Sequence, residues 1–437
     1  MVQLKRGIIL GLVVTTSGCV DSPDVGVAQS ALTAGDVAGE LPARNPHGIS
    51  SSVSTQGPFD FNNPFFDTTL GTNGRSCATC HDPRTGWTIS ADLAKELFND
   101  SDGLAPLFNP FDGGTRPDAD LSSKGERKKA FDPITDRGLI RFGQGPNAPS
   151  SDFDIIAVAD PYGFGTPSSF TRFRRPNPTS NEHFTQSLTW IAGPQPPNAI
   201  LAPILFGIAV SFHGQGTVPP SAAATAAAVA FQLSIVNAQA WDNQAGRLDE
   251  DGAKGGPVYL AQQPYFPGIN SGASFDPHVF DLYDAWKDSP DPNRRQIARG
   301  QDVFNFKTFG PNNARRCSGC HNTPNVGASS TFVMLNVGTD VPSHEQAAIL
   351  PILTVRNKVT GEIKDVTEVG RALSTGKWAD IGKYRVPHLR GLASRAPFFH
   401  DGQARDIEDV VNHYEAFFGI EFTGTEKQDL EAFLYTL

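Results

Sequence analysis

Cys77-Ala-Thr-Cys80-His81 and Cys317-Ser-Gly-Cys320-His321 are the two stretches that decide how this 437-residue chain is read. Two cysteines three residues apart match the two vinyl groups of a porphyrin. The histidine that follows is then placed under the ring, where its imidazole binds iron. Each motif is therefore read as the attachment of one covalent haem c. Cys77, Cys80, Cys317 and Cys320 supply the thioethers, and His81 and His321 are the proximal iron ligands. The competing reading, one four-cysteine zinc site made from both pairs, leaves the two histidines unexplained. It also separates Cys80 from Cys317 by about 237 residues, where zinc pairs usually lie about 15–20 apart.

Outward from the second motif, Ile297 to Phe304 reads as a helix leading into Cys317. Thr425 to Leu437 closes the chain, with Leu430, Phe433, Leu434 and Leu437 on one helical face. Small cytochrome c domains begin and end in this way. From Asp406 to Phe418 a further helix places Ile407, Val410, Val411, Tyr414, Phe417 and Phe418 on one face, with His413 on its flank. After the first motif, Trp87 is placed to pack on the haem or in the core, and Ser90 caps a helix carrying Leu93, Leu97 and Phe98. Ile155 to Val158 suggests a strand. Ala222 to Ala240 reads as a buried helix, and the apolar run 200–212, which contains Pro203, as core or pocket wall. The expected fold class is mainly α, with two cytochrome c-like haem domains and many loops, in keeping with 43 Gly and 34 Pro. The expected organisation is a signal and lipobox segment at 1–19, a linker at 20–55, an N-terminal haem c domain at 56–285 and a C-terminal one at 286–437.

At the N-terminus, Lys5-Arg6 followed by the short apolar run Gly7 to Val14 reads as an export signal. Thr16-Ser17-Gly18-Cys19 resembles a lipobox, which makes Cys19 the site of a lipid anchor and places the mature protein in the periplasm or at the outer membrane. That anchor is the one expected membrane contact. With Cys19 so used and four cysteines in the haem motifs, all five cysteines are assigned and none is left for a disulfide. The net charge of −10 argues against nucleic acid as a partner.

The stretch Arg385-Val-Pro-His388-Leu-Arg-Gly-Leu-Ala-Ser-Arg-Ala-Pro397-Phe-Phe-His400-Asp-Gly402 resembles a signature of the bacterial dihaem cytochrome c peroxidase/MauG family. The resemblance implies peroxide reduction at the N-terminal haem, with the C-terminal haem relaying electrons from a donor. For MauG-like members it implies oxidation of a partner protein. It also implies a tryptophan between the haems, and Arg175, Pro178, Thr179 and Trp190 fit that segment; the bland reading of Trp190 is core packing. An inter-haem calcium ion is implied too, with Asn177 and Pro397 in the matching segments. Tyr414, 14 residues after His400, takes the place of the family's Met or Tyr ligand to the second haem. His400 is expected beside that haem, and His388 receives no role.

Three departures from the family's peroxidases shape the expected chemistry. No histidine lies between His81 and His183 to block the first iron. No acid lies between His183 and Asp242, which leaves His213 as the candidate for distal acid–base work, against the bland reading of a core or loop histidine. Met334 falls too soon after His321 to serve as its methionine ligand. His47, His183, His278, His344 and His413 are read as structural or exposed. The leading function is a peroxide-dependent haem oxidoreductase. Its partners would be hydrogen peroxide and either a soluble donor, such as a small cytochrome or cupredoxin, or an oxidisable protein. A pure dihaem electron carrier, and oxygenase-type chemistry on an organic substrate, are the competing classes.

Overall fold

The computed structural model describes residues 39–144, 150–191, 201–202, 204–264, 274–331 and 333–437. The signal, the lipobox and the linker up to residue 38 fall outside the described residues, as do residue 200 and Pro203 of the apolar run. In chain order, the elements that place the site begin with β1 (Leu41–Asn45), β2 (Gly48–Ser54) and α1 (Ala91–Ser101). Next come β3 (Ile140–Gln144), β4 (Phe153–Ala159), β5 (Phe170–Arg174), α2 (Ala222–Ser234), β6 (Ile235–Asp242) and β7 (Gly246–Arg247). The second half adds α3 (Pro292–Phe306), β8 (Met334–Leu335), β9 (Ile352–Asn357), β10 (Ile363–Val366) and β11 (Tyr384–Arg385). It ends on α4 (Ile407–Phe418) and α5 (Glu426–Tyr435).

The fold is not mainly α. Helices hold 34% of residues and strands 16%, in sheets ordered β1-β2-β6-β7, β10-β9-β4, β11-β8 and β3-β5. Residues 41–54, expected to be part of a linker, form two of these strands. Their serines mislead because they are buried and satisfied. Ser52 Oγ accepts from the Trp87 indole at 2.9 Å and from Asn237 Nδ2 at 2.9 Å, while Ser394 Oγ meets Ser50 Oγ at 2.8 Å. The helix expected over Ala222–Ala240 stops at Ser234, where the β-branched pair Ile235-Val236 turns the chain into β6 beside β2. The sheet β10-β9-β4 joins strands from both sides of the expected 285/286 boundary.

The helical expectations are otherwise met. Ser90 caps α1 by accepting from the Leu93 amide, and Asp406 caps α4 by accepting from the Asp409 amide. In the second half, α3 and α5 pack Ile297, Phe304, Leu430, Phe433 and Leu434 into one core with Trp286. Gly300 lets the two helices approach. A Cβ there would stand 1.8 Å from the Asp429 carbonyl oxygen and 2.8 Å from the Phe433 Cβ. Backbone cannot yield as a side-chain end can, so Gly300→Ala should lower stability by about 3 kcal/mol, the upper end of ordinary overpacking costs. Denaturant unfolding measures this, and a midpoint equal to that of the parent would show that the helices separate freely.

Candidate functional site

The two CxxCH segments are built alike. His81 Nδ1 lies 3.0 Å from the Trp87 carbonyl oxygen, and His321 Nδ1 lies 2.6 Å from that of Gly327. In each case the acceptor is six residues after the histidine and its φ is left-handed, 65° for Trp87 and 62° for Gly327. A carbonyl only accepts, so Nδ1 carries the proton and Nε2 keeps its lone pair. Burial lowers both imidazoles to about 4, with the Trp87 carbonyl partly opposing this for His81 and the Gly327 carbonyl for His321. Both rings are therefore neutral at pH 7, as an iron ligand must be. Trp87 itself is not part of the lining of the cavity at either motif. It is fully buried among Phe59, Phe65 and Phe231, and its carbonyl is the part that faces the motif.

Each motif opens on its own cavity. One of about 510 Å³ is lined by Cys77, Cys80, His81, Arg75, Glu182 and His213. The other, about 520 Å³, is lined by Cys317, Cys320, His321, His388, His400 and Tyr414. The cysteine pairs thus lie apart, which rules out a shared four-cysteine zinc site. Burial pushes the thiols up, to about 12 for Cys77 and Cys317 and about 11 for Cys80. Such neutral thiols fit thioether formation better than thiolate metal binding. Arg175, Pro176, Asn177 and Trp190 line both cavities, so Trp190 lies between the two motifs. Its indole donates to the Arg175 carbonyl at 2.8 Å.

In the first cavity His213 has a partner that sequence reasoning missed. Its Nδ1 is 2.6 Å from Asp112 Oδ2, and Arg75 donates to Asp112 Oδ1 at 2.5 Å. Burial raises the Asp112 carboxyl, but the His213 hydrogen bond and the Arg75 charge outweigh it and hold the group below the usual carboxylate range. An ionised carboxylate only accepts. Nδ1–H of His213 therefore donates, and Nε2 is the nitrogen left for chemistry. Asp112 lies in a turn-rich stretch 101 residues before His213, and no local pattern announces the pairing. Glu182 was missed as well, being just outside the acid-free window. Burial raises it to about 8, against the Arg385 charge.

In the second cavity Tyr414 is part of the lining. His413 instead places Nε2 2.7 Å from the Val337 carbonyl. Burial, followed by the neighbouring Cys320 and Cys317, pushes the Tyr414 phenol up. His400 stacks on Tyr384 with centroids 3.9 Å apart and meets Trp190 edge-on at 6.3 Å. Met334 pairs with Arg385 across the β8–β11 strands. Its neighbour Leu335 belongs to the lining, and Met334 does not.

The residues present fit a large, mostly apolar group that carries carboxylates. Arg175 Nη1, Arg385 Nε and Arg395 Nε are buried without a hydrogen-bond partner, and all three side chains line the second cavity. Unpaired buried cations cost several kcal/mol each, a cost that haem propionates beside them would offset.

No family model matches the chain. Among curated proteins, it is 29% identical over 162 residues to cytochrome-c peroxidase IdrP1 of Denitromonas iodatirespirans, covering 32% of this chain and 40% of that one. It is 30% identical over 122 residues to cytochrome c551 peroxidase of Nitrosomonas europaea, covering 28% and 30%. The chain thus spans less than half the length of the curated relatives it matches. Among solved structures, a MauG-like protein associated with microbial copper homeostasis aligns over 86% of both chains, at 18% identity and a TM-score of 0.39. Kuenenia stuttgartiensis hydrazine synthase aligns over 97% of this chain and 100% of that one, at 12% identity and a TM-score of 0.37. Both scores are too low to argue from. In its paired CxxCH motifs, its Arg385–Gly402 signature and its curated relatives, the chain is similar to the dihaem cytochrome c peroxidase/MauG family.

Proposed function

We propose that this is an exported dihaem c-type oxidoreductase that uses hydrogen peroxide, either as a peroxidase or as a MauG-like oxidase of another protein. Cys77, Cys80 and His81 would hold the haem that reacts with peroxide, and Cys317, Cys320 and His321 would hold the haem that relays electrons. The observation that carries this reading is the Arg75–Asp112–His213 chain, which orients a titratable side chain in the wall of the cavity that His81 also lines. A bound haem c would supply the redox-active iron for reaction with peroxide. His213 Nε2 takes the proton from one peroxide oxygen and returns it to the other as the O–O bond breaks, and Asp112 stabilises the imidazolium formed in between. Trp190, in the wall shared by the two cavities, supports an electron route between them. Tyr414 would offer its phenol oxygen to the iron of the C-terminal haem, and a bound iron's charge would offset the burial that otherwise keeps that phenol protonated.

The donor or substrate is a soluble protein, either a small cytochrome or cupredoxin or an oxidisable partner. The mature chain resides in the periplasm or at the outer membrane, held there by a lipid on Cys19. Among the described residues no helix is long and apolar enough to cross a membrane.

Three measurements test this reading. Intact mass should exceed that of the processed polypeptide by two haem masses. The Cys77→Ala, Cys80→Ala double variant should lose one of them, and stoichiometric zinc in place of haem would refute the assignment. His213→Ala should slow the reaction with peroxide by about 10²–10⁴, the usual scale for general acid–base catalysis. Asp112→Asn should slow it less while keeping both haems. Peroxide kinetics that ignore both changes would return His213 to a structural role. Tyr414→Phe keeps the ring but removes an anionic ligand, so it should alter the ferric EPR signal of the second haem and raise its potential. His413→Ala, which removes the bond to the Val337 carbonyl and ring contacts with Phe399, Tyr414 and Phe417, should leave both nearly as they were; the reverse pattern would make His413 the ligand.

A further inference from the structure

The calcium ion that the family resemblance implies does not fit this chain. We propose instead that Arg175, Arg385 and Arg395 form a carboxylate-binding block between the two cavities, doing directly what a bridging divalent cation would otherwise do. This rests on haems being bound at both CxxCH motifs, since their propionates are the carboxylates the block would take.

The argument begins at Asn177, the side-chain oxygen expected to face calcium. Its Oδ1 accepts from Arg385 Nη2 at 3.1 Å, a charge-assisted bond that already points a cation at that oxygen. Arg395 stands two residues before Pro397, the other residue expected at the calcium, and donates Nη2 to the His388 carbonyl at 3.0 Å. Arg175 donates Nη2 to the Ile89 carbonyl at 2.7 Å. Arg385 also donates Nη1 to the Ser187 carbonyl, so each guanidinium is fixed through one or two nitrogens while another stays unpartnered: Nη1 of Arg175, and Nε of Arg385 and Arg395. All three residues are more than nine-tenths buried.

Charge then decides between a metal ion and an anion. The second cavity is lined by Arg175, Arg315, Arg316, Arg385 and Arg395, with no Asp or Glu among its described residues. The one acid facing Arg385 from the first cavity is Glu182, which burial raises to about 8 and so keeps mostly protonated at pH 7. His388 adds no charge, because burial and the Arg395, Arg385 and Arg390 charges hold its imidazole far below its ordinary value. No group of three or more His, Cys, Asp or Glu side chains among the described residues is arranged to hold a metal. A hard dication can be held by neutral carbonyl oxygens, but fixed positive charge beside it opposes its binding. Here the fixed charge is positive, and the unsatisfied groups are donors.

The test uses the full haem-loaded protein. Elemental analysis after exchange into chelator-free buffer should find iron at the haem stoichiometry and no calcium. Neither millimolar EGTA nor millimolar calcium chloride should move the thermal midpoint or the haem spectrum. Stoichiometric calcium, or an EGTA-induced fall in the midpoint, would overturn the block, whereas absent iron would overturn the haem reading instead. Arg395→Gln removes one positive charge beside the propionates, so the potential of the nearby haem should shift lower. Arg395→Lys, which retains the charge, should stay close to the parent. Equal potentials in all three proteins would show that the guanidinium faces no carboxylate. Should the Gln variant fail to fold, the calcium measurements on the parent protein decide alone.

Discussion

In each CxxCH motif a backbone carbonyl six residues after the histidine fixes which ring nitrogen carries the proton, and the rest of the site is arranged around that choice. In both halves the carbonyl points back at Nδ1 because its residue adopts a left-handed backbone. Glycine does this at no steric cost at position 327, where a Cβ would come within 3.0 Å of Leu389 and Phe280 side chains. Tryptophan at position 87 adopts it at a cost of order 1 kcal/mol. The indole is locked by Ser52 and three phenylalanines, so the strained turn is held in place by the β1-β2-β6 sheet beneath it. The amino-terminal strands thus support the first CxxCH segment directly. This gives a physical reason for a serine-rich stretch to be ordered here.

Positive charge is the second constraint. Arg175, which lines both cavities, comes together with Arg385 and Arg395 of the second cavity's wall at a place where all three are buried. Burial lowers each guanidinium, to about 9 for Arg175 and Arg395 and about 10 for Arg385, yet all remain cationic at neutral pH. Such a cluster is unfavourable in an otherwise apolar interior unless anions join it. Folding of this region is therefore expected to be coupled to occupancy of the cavities. The contrast with Arg174 is instructive. Its guanidinium meets Glu368 in a bidentate pair within the protein, so that charge is already balanced and has no need of a ligand.

What the sequence revealed was local, and what it hid was long-range. CxxCH is a contiguous motif. Tyr414 rather than His413 could be chosen because helical periodicity orders neighbours on a face, and α4 does present Tyr414 to the cavity. His213 stood out because its surroundings lack charge. Its partner Asp112 and that partner's anchor Arg75 could not be read, because hydrogen bonds spanning 101 and 37 residues leave no periodic trace. The sheets were underestimated for a related reason. Their strands are short, pair across long separations, and in β2 carry buried serines that mimic a solvated tether. Ala222 to Ala240 misled differently: alanine-rich helix and β-branched strand share one apolar composition, and the switch is marked only by Ile235-Val236.

The two cavities are built from the same motif but are finished differently, and this difference organises the function. The first is walled by the apolar segment that ends at His213, whose imidazole is held by a buried carboxylate and a buried arginine. It contains a group able to move a proton. The second is closed by α4, whose contributions are Ile407, Val410, Val411, Tyr414, Phe417 and Phe418. Its one ionisable side chain from that helix is a phenol that burial keeps protonated. Proton transfer belongs with bond-breaking chemistry, whereas an apolar enclosure with one potential anionic ligand suits holding and passing charge. Trp190 stands in the wall common to both, with the Arg385 guanidinium 6.0 Å from its ring. A cation at that distance disfavours oxidation of the indole itself. On the proposed reading, electrons crossing the wall are thus better served by Trp190 as a bridge than as a site where charge rests.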